Sequence, residues 1–317
     1  MSMRKIYVIG GANVDILARS YAPIIPADSN PGHVSYTFGG VAHNIACNLA
    51  KLGCQVEFIT AISEDNFGKQ VRQHCHDVGM KLTHCQFFHE YSTSLYLAIV
   101  QPDGDMNVAI ADMEILSHLD VEKVSRVLSE ADEDDFVVID TNLTTNQIHT
   151  LVQSCPCRIF ADPISTTKAV KVLPFLDKLY FLKPNQLEAE KLSNLPCSSI
   201  DGYVNNLCFF LDKGVKNIVI SLGKDGVIAS NGNEAYHVAN IPMDIVNTTG
   251  AGDSFMAGFI YGQHKNRTFL DSLFNAMAAS YVTLMSNETV NPLMSEKLLK
   301  TFHDDMLKNA KVTVLAI

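Results

Sequence analysis

The chain has 317 residues, 47% hydrophobic and 18% charged, a composition that suits one large α/β domain or two small ones and excludes a largely disordered chain. Lysine and arginine number 24 against 34 aspartates and glutamates, a formal charge of −10, which argues against a nucleic acid as the main partner but leaves room for one locally held phosphate. No run of about 18 apolar residues is present, so neither a transmembrane helix nor a membrane partner is expected, and the eight dilute cysteines read as reduced thiols of a cytoplasmic protein.

Ile6-Tyr7-Val8-Ile9 is too short an apolar run for a signal peptide and reads as a first buried strand closing on Gly10-Gly11. Asn13–Leu17 and His33–Thr37 look extended, with no helix between them. Phe38-Gly39-Gly40-Val41-Ala42-His43-Asn44 then opens an amphipathic helix through Leu52. Val56–Thr60 predicts a strand, and Asn66 to Val78 a helix. Ser94–Val100 and Met106–Ile110 flank Pro102-Asp103-Gly104-Asp105, a hairpin turn signal. Phe136–Asp140 precedes a helix near Thr144 to Gln153, and Arg158–Asp162, Leu179–Leu182 and Asn217–Ser221 continue the series. Short apolar runs that end in a polar residue and lead into a helix predict a parallel sheet covered on both faces. Ligands then bind beyond the carboxyl ends of the strands, where Asp140, Asp162, Lys183-Pro184-Asn185 and Ser221 fall. From Gly252 on, the pattern is mostly helical. The expected organisation is one domain over residues 1–317, with a small β lid built from about 13–38 and 93–110.

Four segments carry candidate chemistry. In Asn247–Gly258 a turn of small residues opens a helix, so backbone N–H groups and the helix dipole can hold a phosphoryl group in transfer. Asp253, in the first turn, is placed to accept a hydroxyl proton. An ordinary glycine-rich helix start, with Asp favoured by the dipole, fits the same residues. Gly39-Gly40 with Asn44 can bring backbone and amide to ligand hydroxyls, or be a tight turn. Asn185 and Glu188 share one helix face, suited to a water-mediated Mg²⁺ and phosphate network or to a capping box. Ser221–Val227 turns on Gly223 and Gly226, either as a nucleotide contact or as a plain hairpin.

In this order and spacing, the segments resemble the ribokinase-like, or PfkB, family of carbohydrate kinases. The C-terminal stretch from Asn247 to Ile260 matches that family's signature closely, and the double glycine with Asn44 matches the N-terminal one loosely. The resemblance covers nearly the whole chain. It implies a three-layer α/β/α sandwich with a small β-sheet lid, ATP and Mg²⁺ as cofactors, and transfer to a hydroxyl of a small sugar or nucleoside. It implies Asp253 as base, with Gly250, Ala251 and Gly252 as the anion hole. Asn13, Asp15, Gly39, Gly40 and Asn44 would hold sugar hydroxyls. Asn185 and the metal-side Glu188 would bind the phosphate network, and Ser221, Gly223, Gly226, Thr248 and Asn275 would lie along the nucleotide. A homodimer paired through the lid is a further implication. Many members carry Asp where this chain has Asn247, a weaker cation ligand, so potassium is expected to matter little.

A narrower likeness is to the pseudouridine kinase branch of that family. It is carried by Ala27–Gly32, Ala109–Met113, Asp162–Ser165 with Lys168, and the Asn-x-Thr form of residues 247–249. It implies transfer to the 5′-hydroxyl of pseudouridine, with Ser29, Asn30 and Lys168 reading the base. His43 stands where that branch often has Arg. His74-Cys75-His76, with His84, Cys85 and His89 nearby, fits no common zinc spacing, and Cys75 shares a helix face with Phe67, Val71 and Val78. Cys155-Pro156-Cys157 is not a C-x-x-C redox motif. Gly10-Gly11-Ala12 lacks the third glycine of a dinucleotide fold, which argues against a dehydrogenase. An intact Asp253 with its glycine turn favours an enzyme over a non-catalytic binding protein.

Overall fold

The computed structural model describes residues 4–317. Its first half runs β1 (Ile6–Ile9), β2 (Asn13–Ser20), β3 (Gly32–Gly39), α1 (Val41–Lys51), β4 (Val56–Ile59), β5 (Ala61–Ser63), α2 (Asn66–Val78), β6 (Gln86–Phe88), β7 (Leu95–Val100), β8 (Met106–Asp112), α3 (Val121–Ser129) and β9 (Phe136–Asp140). There follow α4 (Thr145–Ser154), β10 (Arg158–Asp162), α5 (Thr166–Ala169), β11 (Leu179–Leu182), α6 (Gln186–Ser193), α7 (Ile200–Asp212) and β12 (Asn217–Ser221). The last part is β13 (Val227–Ser230), β14 (Ala235–Val238), α8 (Ala251–His264), α9 (Phe269–Leu284), α10 (Glu296–Asn309) and β15 (Val312–Val314).

Nine strands form the main sheet in the order β15-β14-β13-β12-β11-β10-β9-β1-β4. The period of two along each strand separates two cores. On one face Ile6, Val8, Phe58, Phe136, Val138, Phe160 and Phe181 pack with Ala46, Phe259 and Leu273 of α1, α8 and α9. On the other, Tyr7, Ile9, Val137, Ile139, Ile159 and Ile220 pack with Leu128, Ile148, Leu192 and Phe210 of α3, α4, α6 and α7. Burying each such large side chain contributes about 1.5–3 kcal/mol, and this is what makes a fully apolar strand stable in the middle layer. The result is an α/β/α sandwich.

The six strands from β4 to β12 pair parallel, as the sequence predicts. The remaining edge differs from the expected all-parallel sheet, because β12 to β15 pair antiparallel. The reversal follows from the short turn between β12 and β13, where Gly223 and Gly226 adopt φ of 58° and 92°. A turn that short leaves no room for a crossover helix.

The lid is a separate four-stranded sheet, β3-β2-β7-β8. β2 pairs antiparallel with β3 and parallel with β7, which pairs antiparallel with β8. Because β2 leaves β1 through the Gly10–Ala12 turn, the lid is tethered to the body beside the carboxyl edge of the sheet. Its outer face exposes Val34, Tyr36, Val108 and Ile110.

Candidate active site

The site is assembled where β1, β9, β10, β11 and β12 end and where α1 and α8 begin. Both helices start on a glycine with no side-chain cap. Gly40, before α1, has φ 101°, and a Cβ there would meet the Gly11 carbonyl oxygen. Gly250, before α8, has φ 81°, and a Cβ there would run into the Thr289 carbonyl. Only glycine satisfies both the left-handed backbone and the close approach at these positions.

The two helix starts dispose of their N–H groups differently. At α1 they are consumed inside the protein: Ala42 N–H donates to the Asp140 carboxylate at 3.1 Å and His43 N–H to Gly11 O at 3.2 Å. Asp140 also accepts from Gly11 N at 3.0 Å and from Asn142 N at 2.9 Å. It is a clamp that fixes the β1–β2 turn against α1. At α8 the Ala251 N–H turns back to Thr248 O at 3.4 Å. Among the described residues, no acceptor takes the N–H of Gly252 or Asp253. Two donors at a helix N-terminus therefore remain open to an incoming anion.

Asp253 lies in this first turn, half-buried, and accepts from Asn44 Nδ2 at 2.8 Å. Burial, with Asp162 and Asp140 nearby, pushes its carboxyl up to about 7, against the opposing pull of Asn44 and Lys183. Lys183, at the end of β11, is buried with its ammonium 3.3 Å from Asp162. Burial alone would lower its basicity, but Asp162, Glu188 and Asp253 together hold it above the usual lysine value. A Cβ added at Gly252 would sit 3.3 Å from Lys183 Nζ, so the ammonium and the open N–H groups face the same space. A carboxylate near neutrality, beside a cation and two free donors, can move a proton at one atom and stabilise negative charge at the next.

Two cavities meet at this point. One, of about 410 Å³, is lined by Asn13, Asp15, Gly40, Asn44, Tyr96, Met113, Asn142, Lys168, Gly250 and Asp253. The other, of about 420 Å³, is lined by Lys183, Ser221, Gly223, Gly226, Thr248, Ala251, Gly252 and, from α9, Met277, Ser280 and Tyr281. The first is polar at its floor, where Asn13 donates to Asp15. Gly39 lies just beneath, packed so that a Cβ would strike Asp15 and approach Asn13.

Most of the sequence-derived site residues thus converge, but several do not. Ser29 and Asn30 sit in the exposed loop 21–31 of the lid, outside the first cavity. The Asn30 amide is spent on closing that loop, bonding Ile25 N, Ile25 O and Asp28 O. Asn275 lies on α9 away from the second cavity and donates to Asp271 O one turn back; the helix face that reaches the cavity is Met277, Ser280, Tyr281 and Leu284. Asn185 and Glu188 form a complete capping box at the start of α6 and line neither cavity. Asn142, which accepts from Lys168 Nζ at 2.6 Å, escaped the sequence reading; Lys183 and the clamp Asp140 were placed at ligand-binding strand ends but given no role. The signal for Lys183 and Asp140 was only a polar residue at a strand end, and Asn142 lies in the turn after β9.

The chain also resembles known proteins over nearly its whole length. The pfkB family carbohydrate kinase profile matches residues 3–296. The chain is 32% identical to the pseudouridine kinase of Escherichia coli over 92% of its own length and 93% of that protein's. It is 26% identical to the guanosine-inosine kinase of Exiguobacterium acetylicum, over 93% of this chain and 99% of the other. Among solved structures, a carbohydrate kinase from Agrobacterium tumefaciens superposes with a TM-score of 0.85 at 26% identity, covering 98% of this chain and 100% of its own. The ribokinase of Arabidopsis thaliana, in complex with ribose and ATP, shares the fold at a TM-score of 0.79 and 21% identity, covering 96% of this chain and 99% of its own. With a signature turn, a ribokinase-like sandwich and a family match over almost its full length, the chain belongs to the pfkB family of carbohydrate kinases.

Proposed function

We propose that this kinase transfers the γ-phosphoryl group of ATP to the 5′-hydroxyl of pseudouridine. The observation that carries the reading is the position of Asp253, which faces one cavity while the open N–H groups of its own helix turn border the other. The acceptor hydroxyl enters from the Asn13–Asp15–Asn44 side, and the triphosphate from the Ser221–Gly223–Thr248 side. Asp253 takes the hydroxyl proton as the new P–O bond forms. The N–H groups of Gly252 and Asp253, with Lys183, stabilise charge on the transferring group. Closure of the lid keeps out water, the competing acceptor.

Mg²⁺ fits the donors present only as an ion held mainly through phosphates and water, its usual manner at such sites. Glu188 is buried, accepts from the Asn185 N–H through Oε2 at 2.9 Å and lines neither cavity, so it would act on the ion only at a distance, through water. The ion would neutralise phosphate charge. The apolar outer face of the lid supports pairing of two copies there.

The likeness to a pseudouridine kinase supports the acceptor. Ser29 and Asn30 lie elsewhere, so base reading falls to Lys168, whose ammonium can donate to a ring carbonyl, and to Asn142, whose Oδ1 accepts from Lys168 and has a second lone pair for a ring N–H; both line the acceptor cavity. Pseudouridine carries a ring N–H that uridine lacks. A dry site that bonds this group loses about 10⁴-fold or more when its buried partner is left unpaired. The test is kcat/KM over pseudouridine, uridine, adenosine, ribose and fructose. Pseudouridine should exceed the others by orders of magnitude. Equal efficiency with uridine, or a preference for ribose or fructose, would refute the acceptor while leaving the kinase class intact.

A further inference from the structure

Outside the phosphoryl-transfer site, three metal-ligating side chains converge on one point. His43 and Cys47 are four residues apart on α1 and so share a face. α2 packs beside α1 and contributes His74, 27 positions from Cys47 in sequence. Cys47 Sγ lies 3.5 Å from His43 Nε2 and 3.7 Å from His74 Nε2. The ligand atoms of all three residues lie within 4.8 Å of one another. A tetrahedral ion with Zn–S near 2.3 Å and Zn–N near 2.0–2.1 Å requires S···N edges of about 3.5–3.6 Å. Two of the three edges already have that length. The spacing along the sequence concealed this, because His74 pairs not with Cys75 and His76 beside it but with residues of another helix.

We propose that His43, Cys47 and His74 form a binding site for one zinc-class divalent ion. His43 and Cys47 are fully buried, and the fourth side of the site opens into a cavity of about 330 Å³. Three protein ligands with one open position make an exchangeable site rather than a closed structural one. Glu288 and Lys51 line the same cavity and set its charge. Binding forms the metal–sulfur bond as the S–H proton leaves to solvent.

The site is two hydrogen bonds from the candidate base, through Asn44. His43 Nδ1 lies 3.3 Å from Asn44 Oδ1. With Nε2 on the ion, Nδ1 carries the ring proton and donates to that oxygen. Asn44 is then fixed with Nδ2 toward Asp253, as it stands in the structure.

The experiment uses the full chain stripped of metal, titrated with Zn²⁺ against a chromophoric chelator and, separately, with Co²⁺. One ion per chain should bind, and Co²⁺ should give thiolate-to-cobalt charge-transfer absorption. Cys47→Ala should abolish that absorption. His74→Gln, at a partly exposed position where folding is not at stake, should weaken affinity by at least the roughly 10–100-fold that loss of an outer-shell partner costs. Absence of binding at micromolar zinc, equal affinity in wild type and His74→Gln, or cobalt binding without the thiolate band would each overturn the proposal.

Discussion

The carboxyl of Asp253 is held up to about 7 chiefly by burial, aided by Asp162 and Asp140, and that value fixes both its use as a base and its effect on folding. As a base it acts only when ionised, so kcat/KM should fall about tenfold per unit as pH drops below roughly 7. Asp253→Asn should lower turnover by about 10²–10⁴-fold while nucleotide titration changes little. The stability consequence has a definite sign. An unfolded aspartate ionises near 3.9. Between there and about 7 the unfolded chain releases its proton first, so this group lowers stability as pH rises and does so fully above 7. The Asn variant escapes this, and its melting temperature should exceed wild type by a few degrees at pH 8, with the gap shrinking toward pH 5. A variant with wild-type turnover would remove Asp253 from the chemistry. Asp253 and the glycine turn were legible because their signal is contiguous. Lys183 was legible only as a polar residue at a strand end; its role was not, because it depends on Asp162 and Gly252, which lie on other elements.

At the scale of elements, the parallel strands β1, β4, β9, β10, β11 and β12 could be read because each is a short, mostly apolar run buried on both faces. β14 and β15 could not, being four and three residues long with part-exposed positions. The lid strands were legible from their hairpin signal, but not the path of loop 21–31, where the Asn30 amide closes the loop on itself. A related feature concerns the loop before α8. Asn247 donates to Asn287 O at 3.1 Å and accepts from Thr249 N at 3.0 Å, so both ends of its amide are committed to loop geometry. Replacing potassium with a bulky organic cation should therefore change the rate little. Restoring an aspartate at 247 should introduce a dependence, because it sets a carboxylate beside the Asn287 carbonyl, two oxygens that together can hold a cation. A strong potassium requirement in the unmodified protein would contradict this reading.

Over the whole molecule, the sheet puts its strand ends along one edge, the lid stands over that edge, and α8 enters between two cavities of similar size. In the proposed function, this arrangement separates acceptor from nucleotide, and the two meet at the first turn of α8. The central claim is that phosphate crosses at that turn onto a nucleoside hydroxyl and not onto water. The most direct measurement follows γ-labelled ATP through a single turnover, with and without pseudouridine, and locates the label by phosphorus NMR. The account predicts label on the nucleoside 5′-oxygen and almost none in inorganic phosphate, with ATP nearly untouched when pseudouridine is withheld. Label that accumulates in inorganic phosphate at the same rate with or without the nucleoside would contradict it.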